Sequence, residues 1–106
     1  MTYIAGTATR WVDDAFPGWV QVQVAEADGT LATLVDKADV FDSRGRLTPE
    51  TRYPVPVELP CHVVRRERDQ YDRELAIVVL LHGIEDHEGR RELRVPLDHV
   101  IGDHDS

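Results

Sequence analysis

Alternation of apolar and polar residues with a period of two is the feature that most constrains this chain. Between Trp19 and Val24, a valine at every second position alternates with Gln21 and Gln23. Successive side chains of a β-strand point to opposite faces of the sheet, so this segment predicts a strand with one buried and one solvated face. Helical periodicity is nearly absent, and we therefore predict an all-β fold.

Turn-forming residues separate the segments that have strand character. Phe16-Pro17-Gly18 predicts one turn, and Asp28-Gly29 is a strong hairpin signal. The segment Leu75–His82 is the most apolar of the chain and predicts a strand that is covered on both faces. The predicted strands are Tyr3–Val12, Trp19–Val24, Thr30–Val35, Val57–Arg66, Leu75–His82 and Arg91–Val95.

Glycine and proline positions add three local expectations. Gly6 lies inside the first predicted strand and indicates a bulge or a sharp bend. Pro60 lies inside the fourth strand and favours an edge position, because proline has no N–H for a ladder hydrogen bond. The segment Thr48–Thr51 has an N-cap threonine followed by proline and predicts one helical turn.

The 106 residues are the length of one domain with one core. We predict a first meander over about 3–41, a connector over 42–54, a second meander over about 55–101 and a flexible tail over 102–106. The predicted architecture is a six-stranded antiparallel small barrel or sandwich built from two three-stranded meanders. OB-like and SH3-like arrangements both remain open at this point.

One pattern of short motifs extends over much of the sequence. It consists of Leu34–Phe41, Leu47-Thr48-Pro49, Tyr53–Val57 and, more loosely, Gly83-Ile84-Glu85. In this pattern the chain resembles, over most of its length, a group of uncharacterised small proteins from GC-rich actinobacteria. No activity is attached to that group, so the resemblance implies a bacterial source and a single domain, and it assigns no catalytic residue.

The charge balance limits the partners of this chain. Asp and Glu number 20 against 12 Lys and Arg, which gives a net charge of -8. Binding to nucleic acid or to an anionic membrane surface depends on clustered cations, so we expect neither. The arginines between Arg65 and Arg73 are interleaved with acidic residues, which predicts a salt-bridged hairpin rather than an anion-binding patch.

The sequence shows no constellation of residues that is typical of an enzyme or of a bound cofactor. Cys61 and His62 are adjacent in a predicted strand, so their side chains point to opposite faces and cannot form a dyad. Cys61 shares a face with Leu59 and Val63, which predicts a buried structural thiol. The lack of a catalytic constellation predicts that the protein is not an enzyme. A lone cysteine, no signal-like N-terminus and no long apolar run predict a cytoplasmic protein.

Histidines are concentrated in the C-terminal quarter, where carboxylates accompany them. His82 and His87 flank a predicted hairpin end and are the candidate metal ligands. Their spacing matches no recognised metal-binding motif, and surface histidines are the alternative interpretation. A small-ligand or metal-binding barrel is therefore an alternative function, and an OB-like oligonucleotide-binding barrel is another, which requires the eleven arginines to share one face.

Aromatic and acidic residues cluster around the first turn. Trp11, Phe16 and Trp19 surround Asp13 and Asp14. Large aromatic residues dominate protein interfaces, and a neighbouring acidic pair adds charge selectivity. The alternative is core packing, with Trp11 and Trp19 covering one end of the barrel. The leading hypothesis is a non-enzymatic interaction module, of inhibitor or immunity type, that binds a basic protein partner through these five residues.

Overall fold

One antiparallel sheet carries most of the regular structure of this protein. The computed structural model describes residues 1–42 and 44–102. Within these ranges there are seven strands, one helix of four residues, α1 (Ala38–Phe41), and a 3-10 turn over Leu97–His99. The all-β prediction is confirmed. The strands are β1 (Thr2–Asp13), β2 (Trp19–Ala25), β3 (Leu31–Lys37), β4 (Val55–Arg68), β5 (Glu74–Leu80), β6 (Glu92–Pro96) and β7 (Val100–Gly102).

The strand order confirms two three-stranded meanders. The order is β3-β2-β1-β4-β5-β6, so the meanders join where β1 pairs with β4. The first half of β1 pairs with β4 and its second half pairs with β2. The short strand β7, which was not predicted, follows the 3-10 turn and returns to β1, with Val100 opposite Ile4. The sheet therefore curls into a half-barrel whose concave side holds the core.

The core consists of the residues that alternation places on the inner face. Val20, Val22 and Val24 are at most 1% exposed. In β5 the residues on both faces are buried, as predicted for this apolar segment. Ile77 lies on the outer face between Arg65 and Arg94 of the neighbouring strands. Because arginine stems are apolar, such neighbours cover outward-facing aliphatic residues while their charged ends remain in water.

The proline in β4 lies where the strand has only one partner. As a whole, β4 is an interior strand of the sheet. Pairing with β5 begins at Cys61, however, whereas the residues from Val55 to Pro60 pair with β1 alone. Pro60 therefore occupies a local edge, where its missing N–H costs no ladder hydrogen bond.

Gly6 provides space for the core rather than a bulge. The bulges in β1 lie further along the strand, between Ala8 and Arg10 and again near its end. A Cβ atom at Gly6 would lie 2.7 Å from Cδ1 of Leu59 and 3.2 Å from Cγ1 of Val22. The expectation of a bulge at this residue is therefore wrong, and the glycine is required by close packing.

The only described helix is α1, and the sequence pattern did not predict it. Its four residues are too few to show a period of 3.6. Phe41 at its end is buried in the core, and the backbone N–H of Ala38 donates to the carbonyl oxygen of Gly18 at 2.9 Å. The predicted helical turn at Thr48–Thr51 is a hydrogen-bonded turn instead, with the N–H of Thr51 donating to the carbonyl of Thr48.

Three loops of the described chain use the same arrangement of an aspartate and an arginine four residues later. One carboxylate oxygen accepts the backbone N–H two residues ahead, at 2.8–2.9 Å. The other accepts Nε of the arginine at 2.6–2.7 Å. Three of the 20 acidic residues therefore stabilise turns in this way. The pairs are Asp42–Arg46, Asp69–Arg73 and Asp86–Arg90.

These turn carboxylates predict a loss of stability in acid. Burial acts to raise the pKa of Asp86, but hydrogen bonds from the backbone and side chain of Arg90 outweigh it, so its pKa is lowered. The pKa of Asp69 is lowered by the backbone N–H and the guanidinium of Arg73.

A carboxyl group with a lower pKa in the folded state stabilises the fold above its unfolded pKa, and this contribution is lost as the pH falls. Between about pH 5 and pH 3, the urea midpoint should therefore decrease steadily. Equal midpoints at both ends of this range would contradict the prediction.

Candidate functional site

The turn between β1 and β2 carries the aromatic and acidic residues that the sequence singles out. Phe16, the central residue of this turn, is 97% exposed. Asp13 and Asp14 are also exposed, while Trp19 is half-buried at the start of β2. These four residues form a surface at one end of the half-barrel, which we name the acidic-aromatic tip. Trp11, the fifth predicted residue, is placed differently.

Trp11 lies on the inner face of the sheet and packs against the core. It is opposite Val20, whose side chain is fully buried. Its ring lies against Gly18, where an added Cβ would be 2.7 Å from ring atom Cζ2. The indole N–H donates to Oδ1 of Asp14 at 2.7 Å. For Trp11, the structure therefore shows the core-packing arrangement that covers one end of the barrel.

Trp19 lies on the opposite, outer face. It pairs with Asp13 of β1 on one side and with Lys37 of β3 on the other. Because directly opposite residues of antiparallel strands share a face, Trp19, Asp13 and Lys37 lie on the same face of the sheet. Trp11 and Trp19, which are close in the sequence and were predicted to cluster, therefore lie on opposite faces of the sheet.

Backbone hydrogen bonds hold the turn that displays Phe16. The N–H of Ala15 donates to Oδ1 of Asp13 at 2.9 Å, and the N–H of Gly18 donates to the carbonyl of Ala15 at 2.7 Å. The Phe16–Pro17 peptide bond is cis. The two hydrogen bonds close the turn, and the phenyl ring projects from it into solvent.

Two members of this region were missed by sequence reasoning. Gly18 has a φ of 99°, a left-handed conformation that favours glycine, and it is buried beneath Trp11. A glycine directly after proline in a turn was the signal that could have identified it. Lys37 lies opposite Trp19 because β2 pairs with β3, so nothing in the local sequence indicates that the two are neighbours.

The candidate metal ligands contact different parts of the molecule. His82 is exposed after β5 and borders a concavity together with Asp39 and Pro60. His87 is exposed further along the same loop between β5 and β6, where its backbone N–H donates to the carbonyl of Thr33 at 2.9 Å. Within residues 1–42 and 44–102, no three His, Cys, Asp or Glu side chains are grouped so that they could hold a metal ion. The predicted tail beyond residue 102 lies outside the described residues.

Cys61 is a buried thiol, as predicted. It is 1% exposed on the core face of β4, and burial raises its pKa to about 11. His62, its neighbour, is exposed on the other face. A thiol with a raised pKa is protonated at neutral pH and is a poor nucleophile.

The hairpin between β4 and β5 confirms the prediction of paired charges. Arg65 donates to Glu67 at 2.8 Å, and Arg68 donates to Asp72 at 2.9 Å. Arg73 pairs with its turn aspartate and lies 5.4 Å from the ring of Tyr71. The arginines of this hairpin are thus matched with carboxylates rather than collected on one basic face.

A groove of about 540 Å³ lies beside strands β1 and β4 and the loop after α1. Tyr3 and Ile101 contribute apolar surface to it. Its charged lining residues are Asp42, Arg44, Arg46 and Glu58, two of each sign, so the groove favours no ionic class of ligand.

Comparisons with protein-family models, with curated proteins and with solved structures give no significant match. Among the described residues, no helix is both long enough and apolar enough to cross a membrane. The functional argument therefore depends on the geometry of the acidic-aromatic tip.

Proposed function

We propose that this protein is a non-enzymatic interaction module that binds a basic protein partner through its acidic-aromatic tip. The observation that carries the proposal is the 97% exposure of Phe16 on a hydrogen-bonded turn. Moving such a ring from water into an apolar pocket gains about 1.5–3 kcal/mol. Aromatic anchors of this kind carry a large share of the binding energy of protein interfaces.

The charges beside Phe16 favour a cationic partner. Asp13 and Asp14 each use one oxygen in a local hydrogen bond, and neither second oxygen has a partner among the described residues. The net charge of -8 adds long-range attraction for a basic protein. An inhibitor or immunity-type protein that covers the cationic active site of a toxin is a role of this kind.

Tyr71 shows why the tip, rather than the other exposed aromatic residue, is the proposed site. Tyr71 is 70% exposed in the turn between β4 and β5. The Arg73 guanidinium lies over its ring, and the surrounding charges are matched in ion pairs. Of these two exposed aromatic residues, only Phe16 lies beside carboxylates that have no ion-pair partner among the described residues.

Replacing Phe16 with serine should therefore weaken partner binding by about 10- to 100-fold, because the anchor is lost without any change to the core. The partner is captured from a lysate of the source organism at low salt, and its affinity for each variant is then measured by calorimetry. Tyr71→Ser is the matched control and should bind like the unmodified protein.

Two results would contradict the proposal. One is equal affinity of the Phe16→Ser variant and the unmodified protein for the captured partner. The other is an association rate that does not fall between low and physiological salt, since attraction between opposite charges is screened by ions.

The free thiol of Cys61 is compatible with a reducing compartment, and we place the proposed interaction in the cytoplasm.

A further inference from the structure

The geometry points to Trp11 as a positioning residue that holds the acidic-aromatic tip in the conformation that displays Phe16. This inference rests on the proposed function, because it explains how the tip is prepared for a partner. Trp11 lies on the inner face of the sheet and Phe16 projects into solvent. Trp11 therefore acts through the turn and not through direct contact.

The first contact is between the indole ring and Gly18. This glycine is buried, and its φ of 99° suits the close approach of the ring. Its carbonyl oxygen accepts the N–H of Ala38 at 2.9 Å, which ties the end of the turn to α1. The indole ring thus packs against the last residue of the turn, just before the chain enters β2.

The second contact is between the indole N–H and Asp14. The nitrogen lies 2.7 Å from Oδ1, a short distance for a donor to a carboxylate. This hydrogen bond holds the first residue of the turn, Asp14. The next residue, Ala15, donates its backbone N–H to Asp13. One side chain anchored in the barrel end therefore braces both sides of the turn.

A braced turn has a direct consequence for binding. Ordering a flexible loop on association costs free energy that is subtracted from the affinity. Because Trp11 holds the turn before a partner arrives, Phe16 and the two carboxylates meet that partner already in place. The complementary surface is a preformed apolar pocket with a cationic rim.

Two substitutions at Asp14 test this inference, since both remove the charge but only one removes the acceptor. Asparagine retains an oxygen for the indole N–H, whereas alanine does not. In Asp14→Ala, exchange of the Trp11 indole proton and of the Gly18 amide should be about tenfold faster than in the unmodified protein. In Asp14→Asn both rates should remain close to those of the unmodified protein. The indole of Trp19, on the outer face, is the internal reference.

Affinity for the captured partner gives a second readout that a purely structural role would not change. Asp14→Ala should bind several-fold more weakly than Asp14→Asn, although the two variants have the same charge. Equal exchange rates, or equal affinities of the two variants, would overturn the positioning role. The exchange measurement needs no partner, so a failure of the proposed function at Phe16 is distinguishable from a failure of this inference.

Discussion

Replacing Arg90 with methionine is expected to lower the free energy of unfolding by about 3 kcal/mol, the low end of the cost of breaking a buried ion pair. The Nε atom of Arg90 donates to Oδ2 of Asp86 at 2.7 Å, and its two terminal nitrogens donate to Glu26 at 3.1 and 3.2 Å. The side chain of Asp86 is 0% exposed and that of Glu26 is 10% exposed. The variant leaves both carboxylates without their common cation.

The cost is large because Arg90 connects distant parts of the curled sheet. It joins the loop between β5 and β6 to the loop between β2 and β3. Hydrogen bonds to Glu26, and then those to Asp86, raise the pKa of its guanidinium, so it stays charged. Nearby, the N–H of Ala27 donates to the carbonyl of Arg94 at 2.9 Å. Since 42% of the Arg90 side chain is exposed, water partly screens these interactions and limits the loss.

Urea denaturation of Arg90→Met and of the matched variant Arg91→Met checks this expectation. Arg91 lies 3.9 Å from Glu85 with both side chains more than half exposed, so its loss should cost less than about 0.5 kcal/mol. Arg90→Lys should be intermediate, because lysine keeps the charge but lacks the planar fork. Equal stabilities of Arg90→Met and Arg91→Met would refute the role assigned to Arg90.

Adding a methyl group at Gly6 should destabilise the protein by about 2 kcal/mol, through overpacking of the core. The new Cβ would lie 2.7 Å from Leu59 and 3.2 Å from Val22, and both of these side chains are fully buried. Leu59→Ala should by itself cost about 3 kcal/mol, because it leaves a cavity.

The double variant makes this prediction specific. Since the alanine methyl at position 6 occupies part of the space that Leu59 vacates, the combined loss should be smaller than the sum by about 1–2 kcal/mol. Urea denaturation of the four proteins in this cycle measures the coupling. Thr7→Ala, at the neighbouring exposed position, is the control and should change stability little. Strict additivity of Gly6→Ala and Leu59→Ala would show that the two sites do not share space.

Much of the fold follows from local pattern. The valines of β2 and the continuous apolar run of β5 each predict a strand. Burial on one face produces alternation of apolar and polar residues, and burial on both faces produces an unbroken apolar run. Asp28-Gly29 predicts the hairpin between β2 and β3 for a similar reason, since few residues adopt a left-handed conformation at low cost. Cys61 is buried as its strand neighbours indicate.

Other features depend on contacts that local pattern does not contain. The four residues of α1 are too few to show a helical period. The strand β7 exists because the chain returns to β1 after the 3-10 turn. Glu26 and Arg90 are 64 positions apart, so only the closing of the sheet shows that they are partners.

By itself, the sequence determined the positions of the six main strands and the exposed, acidic character of the turn that carries Phe16. Only the tertiary structure decided the faces on which Trp11 and Trp19 lie. Ile4 and Ala8 face the core at even positions, but the bulge after Ala8 shifts the alternation, so that Trp11 also faces inward. A single extra residue in a strand reverses the side on which the following residues lie, and its place is set by pairing with neighbouring strands rather than by local composition.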